Sequence, residues 1–401
     1  MADKPGGLVV WGGGSPAPAR QRQREGAAVV CWPGAPGSSL ERERIPFRTV
    51  EDVLGPDGLA ATDAAARTWA RVWGRLPLVD GKSFRELVEW RGTSLLWCAE
   101  AFLRDATAGP RCARAAEIAL RLLESTTPSE VDAPGLLPAD AILLARACTA
   151  RGVLFHGPSP GLPGRPLAVE RPAPRGGLRR AIADALAPAH PPSLRTLPAV
   201  EAGPEGPLVA LLAGEEERLA LAPLLEAVSA DLWRGVVIVT LADLPRWETR
   251  GARRAASEAE ALLRERRSWL RGTPGLADSY SHRGVAFADL ASGDLEAVLE
   301  GHLPAVVRRI EAARELVLSA RASAVLLAVP GRDERRALLH ACSSAGVAAV
   351  VVRLGAPGAG EADRADAGPR PVAALEWAEG QDPRPVVARL REAARGRVEA
   401  G

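Results

Sequence analysis

The stretch "SSAGVAAVVVRLGAPGAG" (Ser343–Gly360) carries the pattern that decides the fold. It predicts the end of a helix, a tight turn, a strand with a continuous apolar run, and a loop rich in glycine and proline. Strands that are apolar on both faces are typical of parallel sheets covered by helices. Ligands of such sheets bind where the strands end in loops, so Arg353 and Gly355 become candidates for substrate binding.

The same pattern repeats along the second half of the chain. Helical segments separate further apolar runs, which are "PLVALLAG", "GVVIVTL", "GVAFADL", "SAVLLAV" and "PVAALEW". Because strand–helix–strand connections within one sheet are right-handed, this alternation predicts a parallel, doubly wound sheet. We expect residues 206–401 to form one Rossmann-like α/β domain.

The first half shows shorter apolar runs among dense helical patterns. The runs "GAAVVCW" and "VLFHG" predict a second Rossmann-like α/β domain over residues 26–157. Residues 158–205 are so rich in proline that we expect a linker or a large external loop. Residues 1–25 are small, charged and rich in Pro and Gly, which predicts a disordered tail. Because "WGGGSP" (Trp11–Pro16) has no predicted strand and helix around it, we reject it as a dinucleotide-binding loop.

Composition excludes several classes of protein. The chain has 51 basic and 49 acidic residues, a net charge of +2, which argues against a nucleic-acid-binding face. Its five cysteines are scattered and never spaced as CxxC, so we expect no disulfide framework, no metal site and no cofactor. No signal-peptide core or membrane-spanning apolar run occurs, which predicts a cytoplasmic location. The P-loop, zincin and α/β-hydrolase motifs are absent from the sequence.

One segment resembles a known group of enzymes. In "DGKSFRELVEWRGTSLLWCAEAFL" the motif positions are Gly92, Ser94, Leu95 and Trp97, with Leu96 inserted and Glu100 following. They resemble the helical Gly-x-Ser-Leu-Trp segment of surface-polysaccharide glycosyltransferases of the GT-B type. That group includes capsule enzymes and is similar to polysialyltransferases and CDP-glycerol glycerophosphotransferases. The resemblance implies that Ser94 and Glu100 contact substrate, and that the fold has two Rossmann-like domains.

Two further segments resemble the same group and then depart from it. "GVAFADLASGDLEAVLEGHLPAVVRRIEAARELV" resembles the group's strand and long helix, and "ASAVLLAVPGRDERRALLHACSSAGVAAVVVRLG" resembles its central unit. The group ends that unit in Gln-His-Gly, whereas this chain has Arg353, Leu354 and Gly355. Leucine neither accepts a proton nor donates a hydrogen bond, so any role of that histidine is absent here. A further nucleotide-binding domain usually follows, whereas here only residues 356–401 remain. The two departures imply an acceptor-side domain whose chemistry has decayed or moved elsewhere.

Five residues are further candidates for the site. His156 ends a strand and precedes a glycine, which makes it a catalytic candidate. Asp333 and Glu334 begin a helix, so they either cap it or, if buried, act as a general base. Arg353 either contacts a sugar phosphate or nucleotide, or pairs with one of these two carboxylates. His282 lies in the polar loop "DSYSHRG" before a strand, where it can approach a cleft.

The expected activity follows from the resemblance. It implies transfer of a sugar or phospho-alditol from a nucleotide-activated donor to a hydroxyl of a glycan acceptor, with peripheral contact to a membrane assembly complex. The alternative is an inactive homologue that binds a glycan, a nucleotide-sugar or a partner transferase. A sugar-nucleotide epimerase lacks support, since no pair of carboxylates and histidine defines one. Trp69 and Trp73 have helical spacing, which predicts core positions rather than a platform for sugar stacking.

Overall fold

The computed structural model describes residues 6–157, 206–231, 235–271, 273–354, 373–378 and 381–395, together with Pro369 and Pro371. Its contacts divide the chain into two compact units. The first comprises the described residues within Met1–Phe84, Phe102–Arg171 and Trp269–Ala297, and the second those within Arg85–Ala101, Pro172–Ser268 and Val298–Gly401. This division differs from the predicted contiguous domains 26–157 and 206–401. The predicted linker, residues 158–205, lies outside the described residues.

The secondary structure alternates as predicted. The strands are β1 (Leu8–Trp11), β2 (Ala28–Cys31), β3 (Arg48–Thr49), β4 (Pro77–Val79), β5 (Lys82–Ser83), β6 (Glu89–Trp90), β7 (Thr93–Ser94), β8 (Glu130–Asp132), β9 (Leu154–His156), β10 (Leu208–Leu212), β11 (Val236–Thr240), β12 (Ser281–His282), β13 (Val285–Ala286), β14 (Ala324–Ala328), β15 (Ala348–Leu354) and β16 (Ala373–Trp377). The α-helices are α1 (Ala17–Arg24), α2 (Ser38–Arg42), α3 (Val50–Trp73), α4 (Phe84–Leu87), α5 (Glu100–Ala106), α6 (Ala108–Thr126), α7 (Pro138–Arg151), α8 (Glu215–Ala220), α9 (Ala222–Asp231), α10 (Arg250–Arg271), α11 (Pro274–Ser279), α12 (Asp294–Glu296), α13 (Leu303–Ser319), α14 (Arg332–Ser344) and α15 (Arg384–Arg395). Short 3₁₀ helices cover Leu95–Ala99 and Leu244–Trp247, and a π-helix covers Ala297–His302.

The first unit contains a five-stranded sheet in the order β3-β2-β1-β8-β9, with every neighbouring pair parallel. When the five strands of this sheet are renumbered 1 to 5 in sequence order, their spatial order is 3-2-1-4-5, as in Rossmann-like sheets. The central strand β1 is buried along its length. The predicted disorder is therefore wrong for residues 6–25, because the apolar run Leu8–Trp11 pairs on both sides and α1 follows it.

The second unit contains a parallel sheet in the order β11-β10-β14-β15-β16. With these five strands renumbered 1 to 5 in sequence order, the spatial order is 2-1-3-4-5, as in flavodoxin-like folds. The apolar runs predicted as buried strands are buried, and β10 and β14 have no exposed residue. The α/β class with two parallel sheets is thus confirmed. One run differs from the prediction: the start of "GVAFADL" forms the small antiparallel hairpin β12–β13 instead of a strand of a large sheet.

Helix α3 and helix α6 build the part of the first unit that carries the site. A capping box begins α3, in which Asp52 N–H donates to Thr49 Oγ1 at 3.1 Å and Thr49 N–H donates to Asp52 Oδ2 at 2.7 Å. At the start of α6, the buried Asp294 carboxylate accepts the N–H groups of Ala108 and Gly109 at 2.8 and 2.7 Å. These caps fix the first turns of the two helices, and α3 then kinks at Gly55 (φ 66°) before the part that lines the pocket.

Candidate functional site

The glycine-rich loop after β1 occupies the switch point of the first sheet, where strand order reverses. The structure corrects the rejection of "WGGGSP" in one respect, because β1, this loop and α1 do form a strand–loop–helix unit. The strand was missed because its apolar run lies within a segment that is otherwise small, charged and rich in Pro and Gly. The glycines serve loop packing: Gly12 N–H donates to Pro134 O at 2.9 Å, and a Cβ at Gly12 or Gly135 would overlap the facing backbone.

The same loop offers little to a phosphate. Pro16 and Pro18 lack N–H groups at the start of α1. Arg20 is bonded to Glu43, and Arg22 is bonded to several carboxylates, among them Asp132 at 2.6 Å. The start of α1 therefore lacks two N–H donors, and the two arginines on this helix, Arg20 and Arg22, are already paired with carboxylates.

At the switch point of the second sheet, carboxylates of the chain occupy the starts of both helices. Gly214 N–H donates to the side chain of Glu217 at 2.9 Å at the start of α8. At the start of α14, the side chain of Glu334 fills the space beside Gly331. Glu334 also pairs with Arg309 at 3.5 Å. Negative side chains in these positions stabilise the helices but repel a phosphate.

The structure brings Asp333 and Glu100 into one cluster. Asp333 is buried, and its Oδ1 accepts the N–H of Ala101 at 2.9 Å. Glu100 is hydrogen-bonded to Arg336 and lies 3.4 Å from Arg332. In the part of the chain that the structure describes, no side chain caps α14 itself, so the carboxylate of Asp333 binds the first turn of α5 instead of its own helix.

The segment that resembles the glycosyltransferase motif is held by buried polar contacts within the second unit. Ser94 is buried, and its hydroxyl donates to Arg85 O at 2.7 Å. Arg336 donates to Trp97 O at 2.9 Å and its guanidinium lies over the Trp97 ring. His340, which is fully buried, bonds to Trp90 O at 2.9 Å. The contacts anchor the segment to α14.

The remaining predicted residues lie in three different settings. His156 lies on the edge strand β9, where its ring is 41% exposed and its Nε2 is 2.9 Å from Glu130 Oε2. Arg353 lies on β15, in register with Glu376 of the edge strand β16. Gly355 lies outside the described residues. Neither His156 nor Arg353 is among the residues that line the pocket of the first unit.

A pocket of about 400 Å³ lies within the first unit and contains His282. One wall is α3 from Ala61 to Trp73, with Leu76 just beyond its end, and the other is the stretch from Asp278 to Arg283. The wall on α3 is mainly apolar, whereas serine, histidine and arginine lie opposite. A mainly apolar pocket with a few convergent polar groups is typical of small-molecule sites.

Aromatic rings form the inner part of this pocket wall. Trp69 and Trp73 stack at 5.8 Å, and the Tyr280 ring lies 5.5 and 5.3 Å from them. Trp73 Nε1 donates to Ser279 Oγ at 3.1 Å. Among the described residues, no partner satisfies the buried Trp69 Nε1 or the Tyr280 hydroxyl. The two tryptophans are therefore core residues, as predicted, and also line the pocket.

Behind the pocket, His282 is bonded to the buried Glu117. The distance from His282 Nε2 to Glu117 Oε2 is 2.8 Å, and Glu117 is 3% exposed. Arg121 Nε donates to Glu117 Oε1 at 2.6 Å, and Arg283 donates to Oε2 at 3.1 Å. Burial raises the pKa of Glu117, but the hydrogen bonds from these three donors outweigh it and hold the pKa below its ordinary value.

Sequence reasoning found one member of this pair and missed the other. His282 was a candidate because it lies in a polar loop before a strand. Glu117 lies in the helical stretch "RCARAAEIALRLLEST", where it is one of two glutamates and nothing local distinguishes it from Glu124. Its role depends on His282, which a distant hairpin brings into contact with this face of α6.

No protein-family model matches the chain, and a comparison with curated proteins finds no match. Within the described part of the chain, every helix is too short or too polar to traverse a lipid bilayer. The described residues also hold no cluster of three His, Cys, Asp or Glu side chains that could ligate a metal ion.

Proposed function

We propose that the pocket of the first unit binds a neutral sugar ring, and that the protein acts in cell-surface polysaccharide assembly as a glycosyltransferase of GT-B-like architecture. The observation that carries this proposal is the pocket itself, in which two stacked tryptophans face a histidine and serines. Apolar walls contact the faces of a ring, while the few polar groups orient its hydroxyls. The two parallel sheets agree with the architecture that the resemblance implies.

The charges around the pocket favour a neutral ligand. His282 is engaged with Glu117, and Arg283 binds both Glu117 and Glu124. A phosphate needs unpaired cations or clustered N–H donors. Here the cations of the pocket are already neutralised by buried or half-buried carboxylates, so a hydroxyl-bearing acceptor fits better than a nucleotide.

In the proposed reaction, the acceptor hydroxyl attacks the anomeric carbon of a nucleotide-activated donor. The partners are that donor and a glycan, with peripheral contact to a membrane assembly complex. His282 replaces His156 in this proposal as the base, since His282 lines a pocket whereas His156 lies on an edge strand.

A second candidate function is glycan binding without transfer. It is favoured by the carboxylates at the starts of α8 and α14, where Glu217 and Glu334 occupy space that a donor diphosphate would need. Under this alternative the pocket keeps its sugar ligand, but no donor binds to the second sheet.

Calorimetric titration with a panel of neutral methyl glycosides tests the shared claim. We expect one glycoside to bind, and the Ala64→Leu variant, which fills the pocket, to weaken it by about tenfold or more. The matched control is Ala60→Leu, on an exposed position of the same helix outside the pocket. Binding that Ala64→Leu leaves unchanged, or binding of no glycoside, would overturn the proposal.

Nucleotide release separates the two candidate functions. The binding glycoside is incubated with UDP-, CMP- and CDP-linked sugars, and free nucleotide is measured by chromatography. Release that depends on the protein and the glycoside identifies a transferase. Glycoside binding without release identifies a binding protein.

A further inference from the structure

We infer that Glu117 is a positioning residue, which holds the neutral form of His282 as the tautomer protonated on Nε2. In this tautomer Nδ1 carries a lone pair and can accept a hydrogen bond from a ligand in the pocket. The inference depends on the proposed function in one respect, which is that the ligand of the pocket carries a hydroxyl group. Glu117 lies on α6 behind the pocket, and His282 lines it.

The tautomer follows from the hydrogen bond between the two residues. An ionised carboxylate only accepts hydrogen bonds, so the nitrogen 2.8 Å from Glu117 Oε2 must carry the proton. A neutral imidazole has a single N–H, which leaves the lone pair on Nδ1. Glu117 stays ionised because Arg121 and Arg283 also donate to it, at 2.6 and 3.1 Å.

The hairpin fixes the backbone of His282. His282 pairs with Val285 across β12–β13. The two turn residues, Arg283 and Gly284, have φ values of 49° and 86°, and a type I′ turn requires positive φ at both of its central positions. Arg283 adopts this left-handed conformation although it is not a glycine, and its side chain donates to Glu117 and Glu124. The turn and the carboxylate thus hold the same histidine.

This arrangement gives His282 a defined role in the proposed transfer. The proton of the acceptor hydroxyl moves to Nδ1, and the hydroxyl oxygen forms the bond to the anomeric carbon of a nucleotide-activated sugar. The bond from that carbon to the nucleotide breaks, and the nucleotide leaves with the electron pair. The imidazolium that forms has the Glu117 carboxylate against its other nitrogen, which stabilises the charge.

The tautomer is measured by long-range ¹H–¹⁵N correlation spectra of the ¹⁵N-labelled full chain at alkaline pH, with His282 assigned from the His282→Gln variant. We expect a protonated-type Nε2 and an unprotonated-type Nδ1. In Glu117→Gln this single tautomer should give way to a mixture. In Glu124→Gln, which removes a carboxylate bonded to Arg283 but not to His282, it should persist.

An Nδ1–H tautomer in the wild type, or an unchanged spectrum in Glu117→Gln, would overturn the inference. If Glu117→Gln does not fold, Glu117→Asp keeps the carboxylate and is expected to keep the tautomer. A methyl glycoside that binds should shift Nδ1 more than Nε2, and a larger shift at Nε2 would also contradict the inference. The tautomer is measured without ligand, so failure of every glycoside to bind removes the proposed function and leaves this test intact.

Discussion

Gly109 of α6 lies against the indole ring of Trp69 on α3, in a space that has no room for a Cβ atom. The contact joins the helix that carries Glu117 to the helix that forms the pocket wall. Trp69 in turn contacts Trp73, Tyr280 and Phe287. A single methyl group at position 109 therefore displaces the inner wall of the pocket.

Gly109→Ala should lower the free energy of unfolding by about 1–3 kcal/mol, because a rigid ring must move to admit the methyl group. Urea denaturation measures the loss, and tryptophan fluorescence reports the displaced ring. The matched control is Gly251→Ala, at the same second position of α10, where the nearest atom to a Cβ is 3.7 Å away. Equal stability of the two variants would contradict the packing described here.

Much of the architecture was accessible from sequence, and the reasons differ between segments. Strands β10, β14 and β15 are apolar runs long enough to be recognised, because parallel strands are buried on both faces. Strand β1 is as short as β2, but the Pro/Gly-rich and charged residues around it conceal the apolar run, and its parallel pairing with β2 and β8 identifies it as a strand. The pairing of Glu117 with His282 spans 165 residues, and no local pattern indicates such a contact.

Glu117→Gln should lower the free energy of unfolding by about 2–4 kcal/mol near neutral pH, because three donors lose a buried charge. The pKa of Glu117 is below its ordinary value of 4.5 in the folded protein. Its stabilisation is thus present above that value and is lost as pH falls through the lower folded pKa. The difference between wild type and variant should therefore shrink on acidification.

Urea denaturation at several pH values measures this difference. Glu124→Gln is the control, since that carboxylate is 42% exposed and should contribute less than about 1 kcal/mol. A difference for Glu117→Gln that stays constant down to strongly acidic pH would show that the carboxylate is not the titrating group.

His302 should make the protein sensitive to mild acid. Burial, with the nearby Arg309 charge, lowers its pKa from 6.5 to about 4. The unfolded chain therefore takes up a proton first, and stability is lost as pH falls from about 6.5 toward 4. His302→Gln does not titrate, so its stability should fall by on the order of 2–3 kcal/mol less over this range. If the stabilities of wild type and variant fell in parallel as the pH is lowered, His302 would not be the cause of the sensitivity to acid. The facing charged groups, Asp333 at 3.8 Å and Glu334, are unchanged in the variant.

Arg336 should be essential for the segment Arg85–Ala101. It is 2% exposed, donates to Trp97 O and is bonded to Glu100. Arg336→Met leaves a carboxylate without this partner and should cost about 3–5 kcal/mol. The control Arg384→Met removes an ion pair whose arginine is 90% exposed and should cost less than about 1 kcal/mol. Denaturation curves that place both variants near the wild type would show that the buried contacts do not hold the segment.

The most direct measurement is a crystal structure of the protein soaked with the methyl glycoside that binds most tightly in titration. The account predicts sugar density between α3 and the stretch Asp278–Arg283, with the ring against Trp69 and a hydroxyl within hydrogen-bond distance of His282 Nδ1. A sugar bound elsewhere on the protein, with this pocket empty, would contradict it.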